Sequence, residues 1–378
     1  MTHTDNSTPV SITDESAKPW LHRLFEKTWY APPHWRYRGL MYALLPLVPV
    51  FCVLGRYRRW QQVRSRPAKP SVPVIVVGNL TVGGTGKTPL VIYLAKLLKT
   101  AGYRPAIISR GYGGRAKTWP QNVTAASHPD LVGDEPVLMA SRSHVPVVVG
   151  ADRNTDIQYL LNYHKCDVIL SDDGLQHYRM ARQMEIIVMD GQRGFGNGWC
   201  LPAGPLREPI KRWLHSDFRL INMDAHTPLS SDARRYQQTS QSDNTHTDKH
   251  TYQMQLVGQQ LISLNHHAPK ALSDFAGQTV HAVSGIGHPE RFFKQLRAQG
   301  LQLIPHSFSD HHRFNKAELC FNEDYPIIMT EKDAVKCRGF SLDNAWYLPV
   351  EAQLSEPFDQ AFLAAFEQCK REYNRSPL

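Results

Sequence analysis

An α/β fold built on a mostly parallel sheet flanked by helices is predicted by three observations. Short β-branched runs recur from residue 72 onward, at 74–77, 106–108, 145–149, 168–170, 186–189 and 218–221. Amphipathic stretches lie between several of them. The first has Leu90, Leu94, Leu97 and Leu98 at helical spacing, with Gly102 where a helix-terminating glycine belongs. Between the first run and that helix stands the glycine-rich Gly83-Gly84-Thr85-Gly86-Lys87-Thr88. Strands alternating with helices imply parallel pairing, because each helix carries the chain back to the same edge of the sheet.

The glycine-rich run carries the strongest chemical signal. Between a strand and a helix, such a loop turns its backbone N–H groups onto phosphate oxygens, and the helix N-terminus adds its positive end. Gly83, Gly84, Thr85 and Gly86 are expected to form the cradle, Lys87 to reach the β- and γ-phosphates, and the Thr88 hydroxyl to bind Mg²⁺. Pro89 suits the first helical turn, where its missing N–H has no partner to lose. Thr81 replaces the first glycine of the common G-x-x-x-x-G-K-[S/T] pattern, so the run is closer to the Gly-Gly-x-Gly-Lys-Thr version. The expected fold is therefore of the P-loop NTPase type.

A P-loop domain also needs an apolar strand ending in an acid that helps to hold the metal. Residues 167–174 fit, with Asp172 and Asp173 at the C-terminal end of a buried strand, where open α/β sheets place ligands. Guanine recognition usually requires Asn/Thr-Lys-x-Asp after a strand. Thr330-Glu331-Lys332-Asp333 has its lysine one position late, which leaves ATP as the expected nucleotide.

Four further runs carry charge in loops. Ser109-Arg110-Gly111-Tyr112-Gly113-Gly114-Arg115 suits an anionic or sugar ligand, or is a plain loop. Gly133-Asp134-Glu135-Pro136 opens a helix, where a first-turn acid can serve only to balance the dipole. Residues 202–209 place Arg207 and Glu208 in a Gly/Pro loop on the ligand edge, where an arginine can stabilise a transferring phosphoryl group. Ser309-Asp310-His311-His312-Arg313 admits a metal site, a base or a surface loop.

Residues 1–16 read as a disordered tail, 17–70 as an N-terminal amphipathic, membrane-associated segment and 71–225 as the P-loop core. Residues 226–251 read as a polar loop or linker, and 252–378 as a smaller C-terminal α/β domain. The polar, acidic start is not expected to act as a signal peptide. The apolar stretch 40–54 is interrupted by Pro46 and Pro49 and is short of the roughly 20 residues a spanning helix needs. Arg56, Arg58, Arg59, Arg64, Arg66 and Lys69 follow it. An apolar, aromatic segment beside a basic cluster is the pattern of a segment lying in a bilayer interface; the bland alternative is a helix packed on the core. The formal net charge of +9 favours anionic partners. The Arg cluster adjoins an apolar segment rather than an aromatic-interleaved groove, so no nucleic-acid partner is expected. Six scattered cysteines without a C-x-x-C pair read as reduced thiols.

Taken together, these runs resemble one family, the tetraacyldisaccharide 4′-kinases that phosphorylate lipid A precursors in Gram-negative bacteria. The resemblance is carried by residues 78–89, 109–113, 133–136, 172–177, 202–208, 285–287, 310–311 and 330–333, in that order. It implies transfer of the γ-phosphate of ATP to the 4′-hydroxyl of a tetraacylated glucosamine disaccharide 1-phosphate, at the cytoplasmic face of the inner membrane. It also implies Asp134 as the base that takes the hydroxyl proton, paired with His311. Thr88, Asp172 and Asp173 are then expected around Mg²⁺, with Gln176 and Glu208 nearby, and Arg207 is expected on the transferring group. Arg110 and Tyr112 are candidates for the sugar and the 1-phosphate. A monomer is expected. The alternative is a membrane-cycling, partner-regulated P-loop ATPase, a class that often has lysine where this chain has Val82.

Overall fold

The computed structural model describes residues 20–30, 35–224, 227–242, 251–265 and 267–375, so the tail expected over 1–16 lies outside the described residues. Three helices come first: α1 (Trp20–Tyr30), α2 (Trp35–Leu44) and α3 (Leu47–Arg64). The alternating part follows with β1 (Val74–Gly78), α4 (Lys87–Thr100), β2 (Pro105–Ser109), β3 (Gln121–Val123), α5 (Pro129–Val132), α6 (Asp134–Ser143), β4 (Val147–Val149) and α7 (Arg153–Tyr163). It continues with β5 (Val168–Asp172), β6 (Met184–Asp190), α8 (Lys211–Leu214), β7 (Phe218–Met223), α9 (Ser231–Ser242) and β8 (Thr251–Val257). Next come β9 (Gln260–Ser263), β10 (Lys270–Ala271), β11 (Thr279–Ser284), α10 (Pro289–Ala298), β12 (Gln302–Ser307) and β13 (Ile327–Thr330). The chain closes with α11 (Glu331–Lys336), β14 (Ala345–Leu348), β15 (Glu351–Leu354) and α12 (Glu356–Arg375).

Nine strands form the first sheet in the order β15-β8-β7-β6-β1-β5-β2-β4-β3. It is parallel from β8 to β4, with antiparallel strands at both edges. Every residue of β1, β2, β4 and β5 is buried, as strands covered on both faces require. Side chains alternate between two cores. Ile75 and Val77 face a cluster with Leu90, Leu94 and Leu98 of α4 and Phe358, Phe362 and Phe366 of α12. Val74 and Val76 face the other, with Val48 of α3, Ile157 of α7 and Trp213 of α8. Six strands form the second sheet, in the order β10-β9-β14-β13-β11-β12, parallel from β14 to β12.

The division of the chain differs from the expected one. β8 lies in the first sheet, and β15 and α12 return to it, so residues 252–378 do not form one C-terminal unit. The second sheet is instead inserted between β8 and β15. The polar 226–251 tract also holds a helix, α9. Among its described side chains, Ala233 is fully buried, and the Tyr236 ring lies 5.9 Å from those of Phe195 and Trp213. Ser230 Oγ caps it by accepting from the Ala233 N–H at 3.2 Å. Composition concealed it, because the helix is built almost wholly from polar residues.

Pro46 and Pro49 lie between and within the helices of the N-terminal segment, where α2 gives way to α3. One face of α3 packs on the core through Val48, Phe51 and Cys52. Leu47, Val50, Val53, Leu54, Tyr57, Trp60 and Val63 are exposed along the rest of it, beside Arg56, Arg58, Arg59 and Arg64. The helix is therefore packed on the core along one face and presents an apolar surface along the rest. Among the described residues no helix is long and apolar enough to cross a membrane. Upstream, α1 lies against functional loops, with Trp29 Nε1 donating to Pro202 O at 3.1 Å and Glu26 paired with Arg193 at 3.2 Å.

Candidate active site

The phosphate loop leaves β1 at Gly78 and enters α4 through Gly86, whose φ of 89° lies in the left-handed region open to glycine. A β-carbon there would sit 2.5 Å from Asn222 Nδ2, the amide that donates to Thr85 O at 2.9 Å. Asn79 braces the loop from within, donating to Thr81 O at 2.9 Å and Gly83 O at 3.1 Å. Its Oδ1 accepts from Lys87 Nζ at 3.1 Å, and Asp173 Oδ1 lies 3.3 Å from the same nitrogen. Thr88 follows in the first turn of α4. Thr81 is explained by its pairing. It bridges to Leu206, while Val82 N donates to Pro205 O and Arg207 N donates to Leu80 O. This stitching brings Arg207 Nη1 within 3.6 Å of Asp173 Oδ2.

Register places Asp172 opposite Val77, one residue before β1 ends. Ser109 Oγ donates to its Oδ2 at 3.3 Å, and its Oδ1 has no hydrogen-bond partner. Burial, then the charges of Glu135 and Asp173, push this carboxyl up to about 7, against the pull of Lys87 and Arg153. Asp173 stands in the opposite balance. Burial raises it, but Lys87 and Arg207 outweigh burial and hold it below the usual range. Gln176 links Glu208 to Arg207, donating to Glu208 Oε1 at 3.3 Å and accepting from Arg207 Nη1 at 3.4 Å. Glu208 is held in turn by the Tyr178 hydroxyl. No cluster of three or more His, Cys, Asp or Glu side chains poised for a metal is found among the described residues.

His311 joins the two sheets. Its Nδ1 lies 3.1 Å from both carboxylate oxygens of Asp134, the first residue of α6. Gly133 makes this position possible: its φ is 93°, and a β-carbon would meet Tyr112 O at 2.8 Å. The 110–114 loop is packed so closely there that the Tyr112 ring lies 4.8 Å from the His311 ring. Burial raises Asp134, but the His311 hydrogen bond and the Lys332 charge prevail and hold it at about 2. Burial lowers His311, yet Asp134 holds it above its ordinary value. Arg110 is exposed; with Arg153 it adds to burial in pushing the His177 imidazole down to about 4. His312 turns instead to Glu318.

Several residues here drew no role from the sequence: Asn79, Ser109, Arg153, His177, Lys332 and Lys336. Asn79, Ser109, His177 and Lys332 stand inside the motif runs, which was the available signal. Arg153 had none. It is 1% exposed and donates to Ser109 O and Gly150 O from the start of α7.

Comparison with known proteins agrees with this arrangement. The family model for tetraacyldisaccharide-1-P 4′-kinase matches residues 40–367. The chain belongs to the tetraacyldisaccharide-1-P 4′-kinase family. A tetraacyldisaccharide 4′-kinase of Alkalilimnicola ehrlichii is 47% identical over 326 residues, 85% of this chain and 90% of the relative. One from Nitrosococcus oceani is 42% identical over 353 residues, 92% of this chain and 96% of the relative. Among solved structures, the LpxK of Aquifex aeolicus in complex with ATP aligns with a TM-score of 0.67 and 28% identity, over 86% of this chain and 99% of that one. For a 4′-kinase, the site holds both a phosphate loop and a buried carboxylate–imidazole pair shared between two sheets.

Proposed function

We propose that this chain transfers the γ-phosphate of ATP to the 4′-hydroxyl of a tetraacylated glucosamine disaccharide 1-phosphate. Membership of the 4′-kinase family supports the substrate class, and the ATP complex of the Aquifex aeolicus relative supports the nucleotide. The observation that carries the reading is the seating of His311 Nδ1 on Asp134. Transfer to a hydroxyl needs a proton acceptor beside the phosphate loop, and a nucleotide-gated switch does not.

Phosphoryl transfer depends on positioning and charge stabilisation. The amides of residues 83–88 and Lys87 hold the β- and γ-phosphates, so Lys87 exchanges its contact with Asp173 for phosphate oxygens. Arg207 faces the same carboxylate and neutralises charge on the transferring group. Asp134 stays ionised across the working pH range and takes the hydroxyl proton as the new P–O bond forms, while His311 orients it. Arg110 and Tyr112 line the approach for the sugar and its 1-phosphate.

The residues present fit a Mg²⁺ ion. Asp172 Oδ1 is buried without a partner, and burial, then the charges of Glu135 and Asp173, raise its carboxyl against the pull of Lys87 and Arg153. Thr88, Asp172 and Asp173 would hold the ion, directly or through water, with Gln176 and Glu208 behind them. When bound it neutralises charge between the β- and γ-phosphates.

Lipid acceptors hold to the bilayer by about 0.8 kcal/mol per buried CH₂, so the enzyme must come to the interface. The exposed apolar residues of α3 with their arginines suit a peripheral contact at the cytoplasmic face of the inner membrane.

The test is transfer of label from γ-labelled ATP with Mg²⁺ to the disaccharide 1-phosphate lipid. Wild-type protein should label the lipid, and Lys87→Ala should not, with its circular dichroism unchanged. Asp134→Ala should lower kcat by about 10²–10⁴-fold with little change in ATP affinity. Release of free phosphate with no labelled lipid would overturn the proposal.

A further inference from the structure

We propose that Lys332 is a positioning residue for the proton acceptor, seating His311 on Asp134 and selecting the ring tautomer that the pair uses. The proposal rests on the kinase reading above. Lys332 is the second residue of α11, and its side chain is 15% exposed. Its ammonium lies 3.1 Å from Glu135 Oε1, 3.2 Å from Asp310 Oδ1 and 3.4 Å from His311 Nε2. Three donors thus meet three acceptors. Glu135 belongs to α6 of the first sheet, and Asp310 and His311 to a loop of the second, so one nitrogen ties the two sides together.

The contact with His311 fixes a proton. An ammonium cannot accept a hydrogen bond, so the Nε2 it faces must present its lone pair. The ring proton is then on Nδ1, which donates to Asp134. The groups facing the ring are Asp134 from α6, the Tyr112 ring, Asp310 and Lys332; Asp134 also faces Lys336, at 3.9 Å. Without Lys332, two carboxylates face His311, and Nε2 is open to a second proton.

The helix carrying Lys332 is itself tightly held. Thr330 Oγ1 and Asp333 Oδ2 are 2.6 Å apart, Gly285 N donates to the same Oδ2 at 2.8 Å, and Lys336 Nζ lies 2.7 Å from Asp333 Oδ1. Thr330-Glu331-Lys332-Asp333, which a nucleotide-base reading leaves without a role, becomes a cap with a lysine aimed across the cleft.

Lys332→Met and Lys332→Arg test this, with kcat and KM followed over pH and the His311 titration followed by NMR. Lys332→Met should lower kcat at pH 7 by about tenfold or more, with KM for ATP within about twofold. Its acid limb and the His311 midpoint should both move to higher pH, by about one unit. Lys332→Arg, which keeps the cation, should recover part of kcat and most of the shift; should the methionine variant not fold, its acid limb and midpoint should stay near those of wild type. An unmoved His311 midpoint in Lys332→Met, or a loss confined to KM, would overturn the proposal. So would Lys332→Arg titrating like a chain without the cation. Wild-type protein that labels no lipid would sink the kinase reading instead, and the NMR titration would still decide the role of Lys332.

Discussion

Asp172 and Asp134 are buried carboxylates in one site with opposite titrations. Asp134 has a histidine and two lysines around it and is held at about 2. The stability it contributes is present above pH 4 and is lost as pH falls from there towards 2. Asp172 has Asp173 and Glu135 near it, and its carboxyl is raised to about 7. Between pH 4 and 7 the folded state therefore keeps a proton that the unfolded chain has released, so this carboxyl erodes stability as pH climbs through that window. A divalent cation would take the place of that proton. Asp172→Asn should thus raise the melting temperature of the ligand-free protein at pH 8, by about 2 °C or more, and abolish Mg²⁺-dependent transfer. Thermal scans with and without Mg-ATP check both. A lower melting temperature for the metal-free variant would mean that the carboxylate is already compensated. At this scale Lys87, Asp172 and Asp173 were legible, because strand, loop and helix fix where they stand. Arg153 was not, because the contact that ties it to the site, its donation to Ser109 O, joins residues far apart in sequence.

Elements were legible where burial follows composition. The six β-branched runs became β1, β2, β4, β5, β6 and β7, the spine of the first sheet. β12 and β15 passed unread because strand propensity reflects packing more than backbone preference. Residues of β12 are half-buried or exposed along an edge, and β15 reads Glu-Ala-Gln-Leu. α3 was hard to read for the opposite reason: it is apolar both where it meets the core and where it meets solvent, so its periodicity is blurred. That second surface makes a prediction. Leu54→Asp with Trp60→Asp changes only exposed positions and should leave the melting temperature within a degree or so. It should markedly reduce flotation with vesicles of phosphatidylethanolamine and phosphatidylglycerol. Neutralising Arg56 and Arg58 should weaken flotation most at low salt, since surface charge is screened over about 10 Å at 0.1 M. Unchanged flotation of the aspartate variant would remove α3 from the membrane contact.

At the scale of the whole molecule, the chain order hides an insertion. β8 and β15 are antiparallel neighbours, with Val257 opposite Glu351. The whole second sheet leaves and re-enters at that one place, which no local pattern could reveal, because the pairing spans nearly a hundred residues of intervening chain. α12 then returns three fully buried phenylalanines, Phe358, Phe362 and Phe366, to the first core. The C-terminus is thus part of the nucleotide-binding body, and ending the chain before β15 should expose that core. Each phenylalanine lost from such a core costs about 3–5 kcal/mol, enough to leave no folded protein. Excising the insertion has the opposite consequence. Joining Val257 to Glu351 through Asn-Gly closes a two-residue hairpin of the favoured kind. The shortened chain keeps Lys87, Asp172, Asp173 and Arg207 but loses His311 and Lys332. It also uncovers the side of α6 that packs on Val335, and frees Arg142 from Glu331, which costs stability without touching the first sheet's pairing. It should fold by circular dichroism, bind an ATP analogue within about tenfold of the full chain, and transfer phosphate about 10²–10⁴-fold more slowly. A shortened chain that folds and still phosphorylates the lipid at the full rate would show that the proton acceptor does not need the second sheet.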